Sequence, residues 1–189
     1  MISAILLAAG QSKRMNGENK LVKKIQNLPL IKHSVKNILA SSIDELIIVL
    51  GHQEEIIKKL IGNNKKIKFV FNKNFESGMA SSIITGLNSL SENTENFFVC
   101  LGDMPMVDKN IYNQLIANKK NKEIIVPIYK NEQGNPVLFS KSMKKEIMTI
   151  KGDAGAKKIL DLNKDKTTYI ETNDFSVTQN FNTVKDFNF

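Results

Sequence analysis

The chain has 189 residues, of which 41% are hydrophobic and 24% charged, and it carries a formal net charge of +8. This balance excludes a disordered chain, and no run of about 18 apolar residues exists to form a membrane-spanning helix. The single cysteine, Cys100, excludes an internal disulfide and thiolate metal clusters. One domain over residues 1–189 is the simplest organisation for this length. The apolar segment 2–9 is short and has no positive region before it, so it does not read as a signal peptide, and a cytoplasmic protein is expected. The positive charge does not point to nucleic acid. Lysines are dispersed among apolar residues at helical or strand spacing, Arg14 is the only arginine, and no aromatic-basic interleaving offers a stacking surface.

Residues 3–7 form a short apolar run of the kind buried inside a parallel sheet, and Ala9-Gly10 ends it. Small side chains there permit a sharp turn whose N–H groups approach a ligand, while Ser12, Arg14 and Lys20 add a hydroxyl and two cations. The loop is suited to phosphates, but it is not a Walker loop, because Glu18 and Asn19 separate Gly17 from Lys20. Only Gly10 falls in the register of the dinucleotide fingerprint, which argues against a Rossmann oxidoreductase.

A helix is predicted over 29–41, with Leu30, Ile31, Val35, Ile38 and Leu39 on one face and Pro29 in its first turn. A strand over 45–50, a helix over 53–61 and a strand over 67–71 follow. Asn72 then opens the segment 72–82, where Gly78, Ser81 and Ser82 precede or begin a helix over 79–90. Those donors fit either contacts to a ribose or base or simple N-capping. The strand 97–101 is continuous and apolar; Cys100 within it reads as an inert core residue.

Gly102-Asp103-Met104-Pro105 emerges at the carboxyl end of that strand, where ligands bind in open α/β sheets. Asp103 is thereby a candidate ligand for Mg²⁺ shared with phosphate oxygens; the alternative is hydrogen bonding to the turn before Pro105 or capping the helix that starts near Asp108. Beyond it lie a helix over 109–117, strands over 124–126 and 136–139, helices over 142–150 and 154–160, and a strand over 168–170. Gly134-Asn135-Pro136 and Gly152-Asp153-Ala154-Gly155 punctuate this part, and Asp153 alone reads as an ordinary N-cap. Alternating strands and helices predict a three-layer α/β/α fold with a mostly parallel, Rossmann-like sheet.

Taken together, Leu7-Ala8-Ala9-Gly10-x-Ser12-x-Arg14-Met15 with Lys20, Gly78-Met79-x-Ser81-Ser82, Gly102-Asp103-Met104-Pro105, Gly134-x-Pro136-Val137-Leu138-Phe139 and Gly152-Asp153-x-Gly155-Ala156 resemble the molybdenum cofactor cytidylyltransferase branch of the MobA-like nucleotidyltransferases. The resemblance implies the nucleotide-diphospho-sugar transferase type of sheet and transfer of CMP from CTP to the phosphate of molybdopterin, with release of pyrophosphate. It implies nucleotide binding by Leu7, Ala8, Ala9, Gly10, Ser12, Arg14, Lys20, Asn72, Gly78, Ser81, Ser82 and Asp103. Arg14, Lys20 and Asp103 would act on the transition state, Asp103 through Mg²⁺, and Asn135, Asp153, Gly155 and Asn182 would lie nearer the acceptor. A molybdenum hydroxylase is implied as recipient of the product, with neither nucleic acid nor membrane as partner. Two positions depart from the branch: Asn135 stands where it usually has His, and Asn180-Phe181-Asn182-Thr183-Val184-Lys185-Asp186 stands where it ends in Asp-x-Asp-Thr-Pro-Glu-Asp. Asparagine there resembles the guanylyltransferase branch. A GMP transfer, a sugar or polyol phosphate acceptor, and a non-catalytic nucleotide-binding protein therefore remain as alternatives.

Overall fold

The computed structural model describes residues 1–12, 15, 18–153 and 155–187. In chain order the elements are β1 (Ile2–Ala8), β2 (Lys24–Ile25), β3 (Leu28–Pro29), α1 (Leu30–Leu39), β4 (Glu45–Leu50), α2 (Glu54–Ile61), β5 (Ile67–Phe71), α3 (Met79–Asn88), β6 (Asn96–Leu101), α4 (Lys109–Ala117), β7 (Ile124–Tyr129), β8 (Glu132–Gln133), β9 (Val137–Ser140), α5 (Lys144–Ile147), α6 (Ala156–Leu162) and β10 (Thr167–Glu171). β4, β5 and α4 begin and end where periodicity placed them, and the other predicted boundaries shift by less than a helical turn. Among the described residues no helix is long and apolar enough to cross a membrane.

The main sheet has the order β10-β7-β9-β6-β1-β4-β5, with β8 paired to β7. β1 is parallel to β4 and β6, β4 to β5, and β7 to β10. β9 departs from this pattern and runs antiparallel between β6 and β7. The reason is chain length: only residues 130–136 join β7 to β9, and a parallel crossover needs roughly a dozen residues or more. Lys130 and Asn131 carry positive φ values of 48° and 66°, the backbone that a tight two-residue hairpin turn into β8 requires.

Pleating sends alternate strand residues to opposite faces, so the sheet has two cores. Ala4, Leu6, Ile48, Phe98 and Cys100 pack with Ile31, Val35 and Ile38 of α1 and with Ile111 and Leu115 of α4. Ile5, Ile47, Val49, Phe97 and Val99 pack instead with Ala80, Ile83 and Leu87 of α3 and with Ile147 and Ile159 of the later helices. Each buried Val, Leu, Ile or Phe side chain among them contributes about 1.5–3 kcal/mol. Strands buried on both faces explain why the sequence showed continuous apolar runs.

The β2–β3 hairpin has no counterpart in the sequence reading. Its arms are two residues each and antiparallel, too short to display a period, and its turn places Gln26 and Asn27 at φ 49° and 65°. It rests on α1, where His33 Nε2 donates to Ile25 O at 2.9 Å. The chain winds outward from β1 through β4 to β5, then returns to place β6 on the other side of β1. The order therefore reverses between β1 and β6, and a crevice opens beyond their carboxyl ends.

Candidate active site

The loop after β1 supplies one wall of that crevice. Met15 is 1% exposed and anchors the loop, while its N–H donates to Ser12 O at 2.8 Å. Ser12 has φ 53°, and its Oγ accepts from Lys20 N at 3.1 Å. Asn19 Oδ1 accepts from Leu21 N at 3.0 Å and caps the short turn Lys20–Val22. The Lys20 backbone is thus held from both sides.

The opposite wall begins where β6 ends. Leu101 lies beside Leu7 in the sheet, and Gly102 N donates to Leu7 O at 3.0 Å. A Cβ on Gly102 would stand 2.8 Å from that same oxygen, so glycine is required for the two backbones to come this close. Ser34 of α1 donates to Gly102 O at 3.1 Å, and Phe181 N donates to Asp103 O at 2.9 Å. Asp103 emerges from a fixed backbone into the crevice. It does not cap a helix: Asp108 caps α4, its Oδ1 accepting from Asn110 N at 2.8 Å.

The two walls meet at an ion pair. Lys20 Nζ lies 2.5 Å from Asp103 Oδ2, with the two side chains 19% and 14% exposed, and also donates to Asn182 Oδ1 at 2.8 Å. Around the pair is a cavity of about 350 Å³ whose lining includes Leu7, Ala9, Gly10, Ser12, Lys20, Gly78, Ser82 and Asp103. Ala8, Asn72 and Ser81 stand behind that lining. Asn72 is 3% exposed; its Nδ2 donates to Ser81 Oγ at 2.8 Å and Ser82 Oγ at 3.0 Å, and its Oδ1 accepts from Asn74 N. Ser81 Oγ shares its proton between Asn74 O and Gly78 O, so it ties the strand-to-helix connection together. The N-cap of α3 is Gly78, with no side-chain cap, and neither serine serves as one. The expectation for Arg14 falls outside the described residues.

A second cavity, of about 580 Å³, adjoins the first and shares Met79, Leu101 and Asp153 with it. Asn135, Asp153 and Gly155 line it together. Asn182 is not with them: its amide faces Lys20 in the first cavity. Asp153 does not cap the following helix either, because Gly155 is the N-cap of α6.

Some contributors are not among the site residues expected from the sequence. Gln11 Nε2 donates to Glu76 Oε1 at 2.9 Å, which links the glycine turn to the segment before α3 across the cavity mouth. Asp186 Oδ2 accepts from Asn182 N at 2.8 Å, Thr183 N at 2.7 Å and Thr183 Oγ1 at 3.1 Å. These bonds, led by the Thr183 and Asn182 amides, hold the Asp186 carboxyl below its ordinary value. A depressed carboxyl stabilises the fold fully above the usual carboxylate range, and that contribution is lost as pH falls through the lowered value. Acidification through that lowered value should therefore loosen the 182–186 turn, and Asp186→Ala should open it at neutral pH. Hydrogen exchange at the Asn182 and Thr183 amides checks this; unchanged protection in the variant would show that the turn closes without the carboxylate.

Cys100 is 1% exposed, and burial pushes its thiol up to about 12, so no thiolate is available near neutrality.

An open α/β/α sheet with a glycine turn and an acidic strand end at its reversal point is the Rossmann-like nucleotide-diphospho-sugar transferase fold. Rv0371c from Mycobacterium tuberculosis H37Rv has it, with a TM-score of 0.87 over 98% of this chain and 95% of that one at 22% identity. A structure of Rv0371c in complex with manganese gives 0.82 over 98% and 95% at 20%. At those identities the likeness is one of fold. The chain belongs to the MobA-like NTP transferase domain family, which it matches over residues 4–168. A probable molybdenum cofactor guanylyltransferase from Methanosarcina mazei is 28% identical over 151 residues, 77% of this chain and 66% of that protein. Bifunctional protein GlmU from Thermosipho africanus is 30% identical over 168 residues, 86% of this chain and 36% of that protein. The chain spans about a third of the length of the GlmU relatives it matches.

Proposed function

We infer that the chain transfers CMP from CTP to the terminal phosphate of molybdopterin or its molybdenum-bearing form, releasing pyrophosphate. The observation that carries this reading is the meeting of Lys20, from the glycine loop, with Asp103, from the end of β6, inside one cleft that continues into a second cavity. The first cavity suits a triphosphate and the second an acceptor. An acceptor phosphate oxygen bonds to the α-phosphorus while the bond from that phosphorus to the β-phosphate oxygen breaks, and pyrophosphate leaves.

A phosphate monoester is already ionised near neutral pH, so no general base is required. The protein has instead to align two mutually repelling anions and neutralise the charge that develops between them. Lys20 and Arg14 supply positive charge, and the turn at Ala9-Gly10 supplies close backbone approach. His33 is bound to the β2–β3 hairpin, which suits chemistry that asks nothing of an imidazole.

The residues fit a hard divalent cation. Asp103 and Asn182 offer a carboxylate and an amide oxygen to one cation position. Among the described residues no group of three or more His, Cys, Asp or Glu could form a cage. Mg²⁺ commonly takes one or two carboxylates and completes its shell with water and substrate phosphates. Bound there, it would neutralise phosphate charge.

A second reading, GMP transfer to the same acceptor, is favoured by Asn135 and Asn182 and by the Methanosarcina relative. The deciding experiment incubates purified protein with Mg²⁺, molybdopterin and CTP or GTP in turn and follows pyrophosphate. Release with CTP is expected. Release with GTP alone moves the assignment to the second reading, and no release with any nucleotide and acceptor pair makes the chain a binding protein.

A further inference from the structure

One ammonium group fills the space between the two hard oxygens of the cleft. Lys20 Nζ is 2.5 Å from Asp103 Oδ2 and 2.8 Å from Asn182 Oδ1. Those oxygens offer a divalent cation the same lone pairs that they offer the ammonium, so an ion that took both would need the place Nζ holds. The two cations cannot share it, because like charges a few ångströms apart in a partly shielded cleft repel far more strongly than in bulk water.

Only the lysine side chain has freedom to leave. Its backbone N–H donates to Ser12 Oγ at 3.1 Å, and its carbonyl accepts from Lys23 N at 3.2 Å. Beyond the Cα, a flexible four-carbon stem carries a compact point charge that exchanges one set of oxygens for another without moving the loop. Asp103 is the fixed partner, its carbonyl held by Phe181 N.

We propose that Lys20 is a built-in competitor for the divalent cation: it occupies the Asp103–Asn182 position in the ligand-free protein, gives it up to free metal only at high concentration, and gives it up readily when a triphosphate offers Nζ other anionic oxygens. Free metal then binds weakly, and metal and nucleotide enter together. Lys20 has two successive partners, the carboxylate before binding and the phosphates after it. This rests on Asp103 being the metal-holding group of the reading above, and it adds the order in which the ligands are taken.

The test is a titration of nucleotide-free protein with Mn²⁺, following the free ion by electron paramagnetic resonance. Lys20→Met should bind Mn²⁺ roughly tenfold or more tightly than the unaltered chain, since the competing charge is gone. The gain should vanish in the Lys20→Met/Asp103→Asn double variant. A second measurement needs no substitution: acetylation of Lys20, read by mass spectrometry, should rise several-fold in saturating Mn²⁺ while that of exposed Lys24 stays constant. Equal Mn²⁺ affinity with and without the Lys20 ammonium, a gain that survives loss of Asp103, or Lys20 reactivity indifferent to Mn²⁺ would each overturn the proposal. No nucleotide or acceptor is present in these experiments. Failure to release pyrophosphate would therefore sink the functional reading and leave this result standing, and the reverse also holds.

Discussion

Asp103→Asn is expected to lower turnover by about 10²-fold or more, the scale of losing one preorganised electrostatic contact to a reacting centre. The substitution keeps shape and removes charge. Gly102 N on Leu7 O and Phe181 N on Asp103 O are backbone bonds that the new side chain leaves in place, so the end of β6 should stay where it is. Stability should fall by about 1–3 kcal/mol, because the pair is largely shielded, at 19% and 14% exposure, while Lys20 keeps Asn182 Oδ1 as an acceptor when Asp103 is neutralised. Steady-state pyrophosphate release and a thermal melt on the same preparation separate the two quantities. Turnover within a few-fold of the unaltered chain would remove Asp103 from the chemistry, and a collapsed melt would make it a structural residue first.

Gly78→Ala tests the other side of the cleft and should damage both quantities. Gly78 has φ +106° and ψ 177°, a conformation that essentially only glycine adopts, at a cost of about 1–3 kcal/mol for other residues. An added Cβ would also press on the Gly152 carbonyl and stand 2.7 Å from Asp153 Oδ1. The contact cannot relax cheaply, because Ala80 N donates to Gly152 O at 3.0 Å and fixes the separation of α3 from the 152–153 loop. A total near 3 kcal/mol corresponds to a melting temperature lower by on the order of 10 °C in a chain of this size. Asp153 borders both cavities, so the same displacement should weaken the apparent binding of both substrates. A lower melting temperature with unchanged KM for nucleotide and acceptor would show that the Gly78–Gly152 contact holds the fold and does not shape the cleft.

Much of this architecture was legible because burial leaves a mark in sequence. β1, β4 and β6 are covered on both faces, and their unbroken apolar runs announced them. That Lys20 and Asp103 face one crevice followed from a rule about strand carboxyl ends and needed no knowledge of side-chain positions. Strand direction was harder: Val137 to Ser140 has the same apolar character in either orientation, and the brevity of the 130–136 connection decides it. The β2–β3 hairpin stayed hidden because two-residue arms have no period. The resemblance groups Asn182 with Asn135, Asp153 and Gly155 near the acceptor, whereas its amide oxygen accepts from Lys20. Its neighbours in sequence gave no hint, since the bond joins residues 162 positions apart. The Gln11–Glu76 link is likewise a long-range pairing of ordinary surface residues, which no local pattern encodes.

That long separation between Lys20 and Asn182 bears on how the protein is made. A ribosome emits the glycine loop before the acidic strand end and the amide after both, and domains tend to take shape from the amino-terminal side during synthesis. A nascent chain that stops short of Asn182 presents Lys20 and Asp103 alone, without the third group and without the Phe181 N–H that steadies the aspartate. Competence to handle its ligands should thus arrive abruptly, once the stretch that carries Phe181 and Asn182 has emerged.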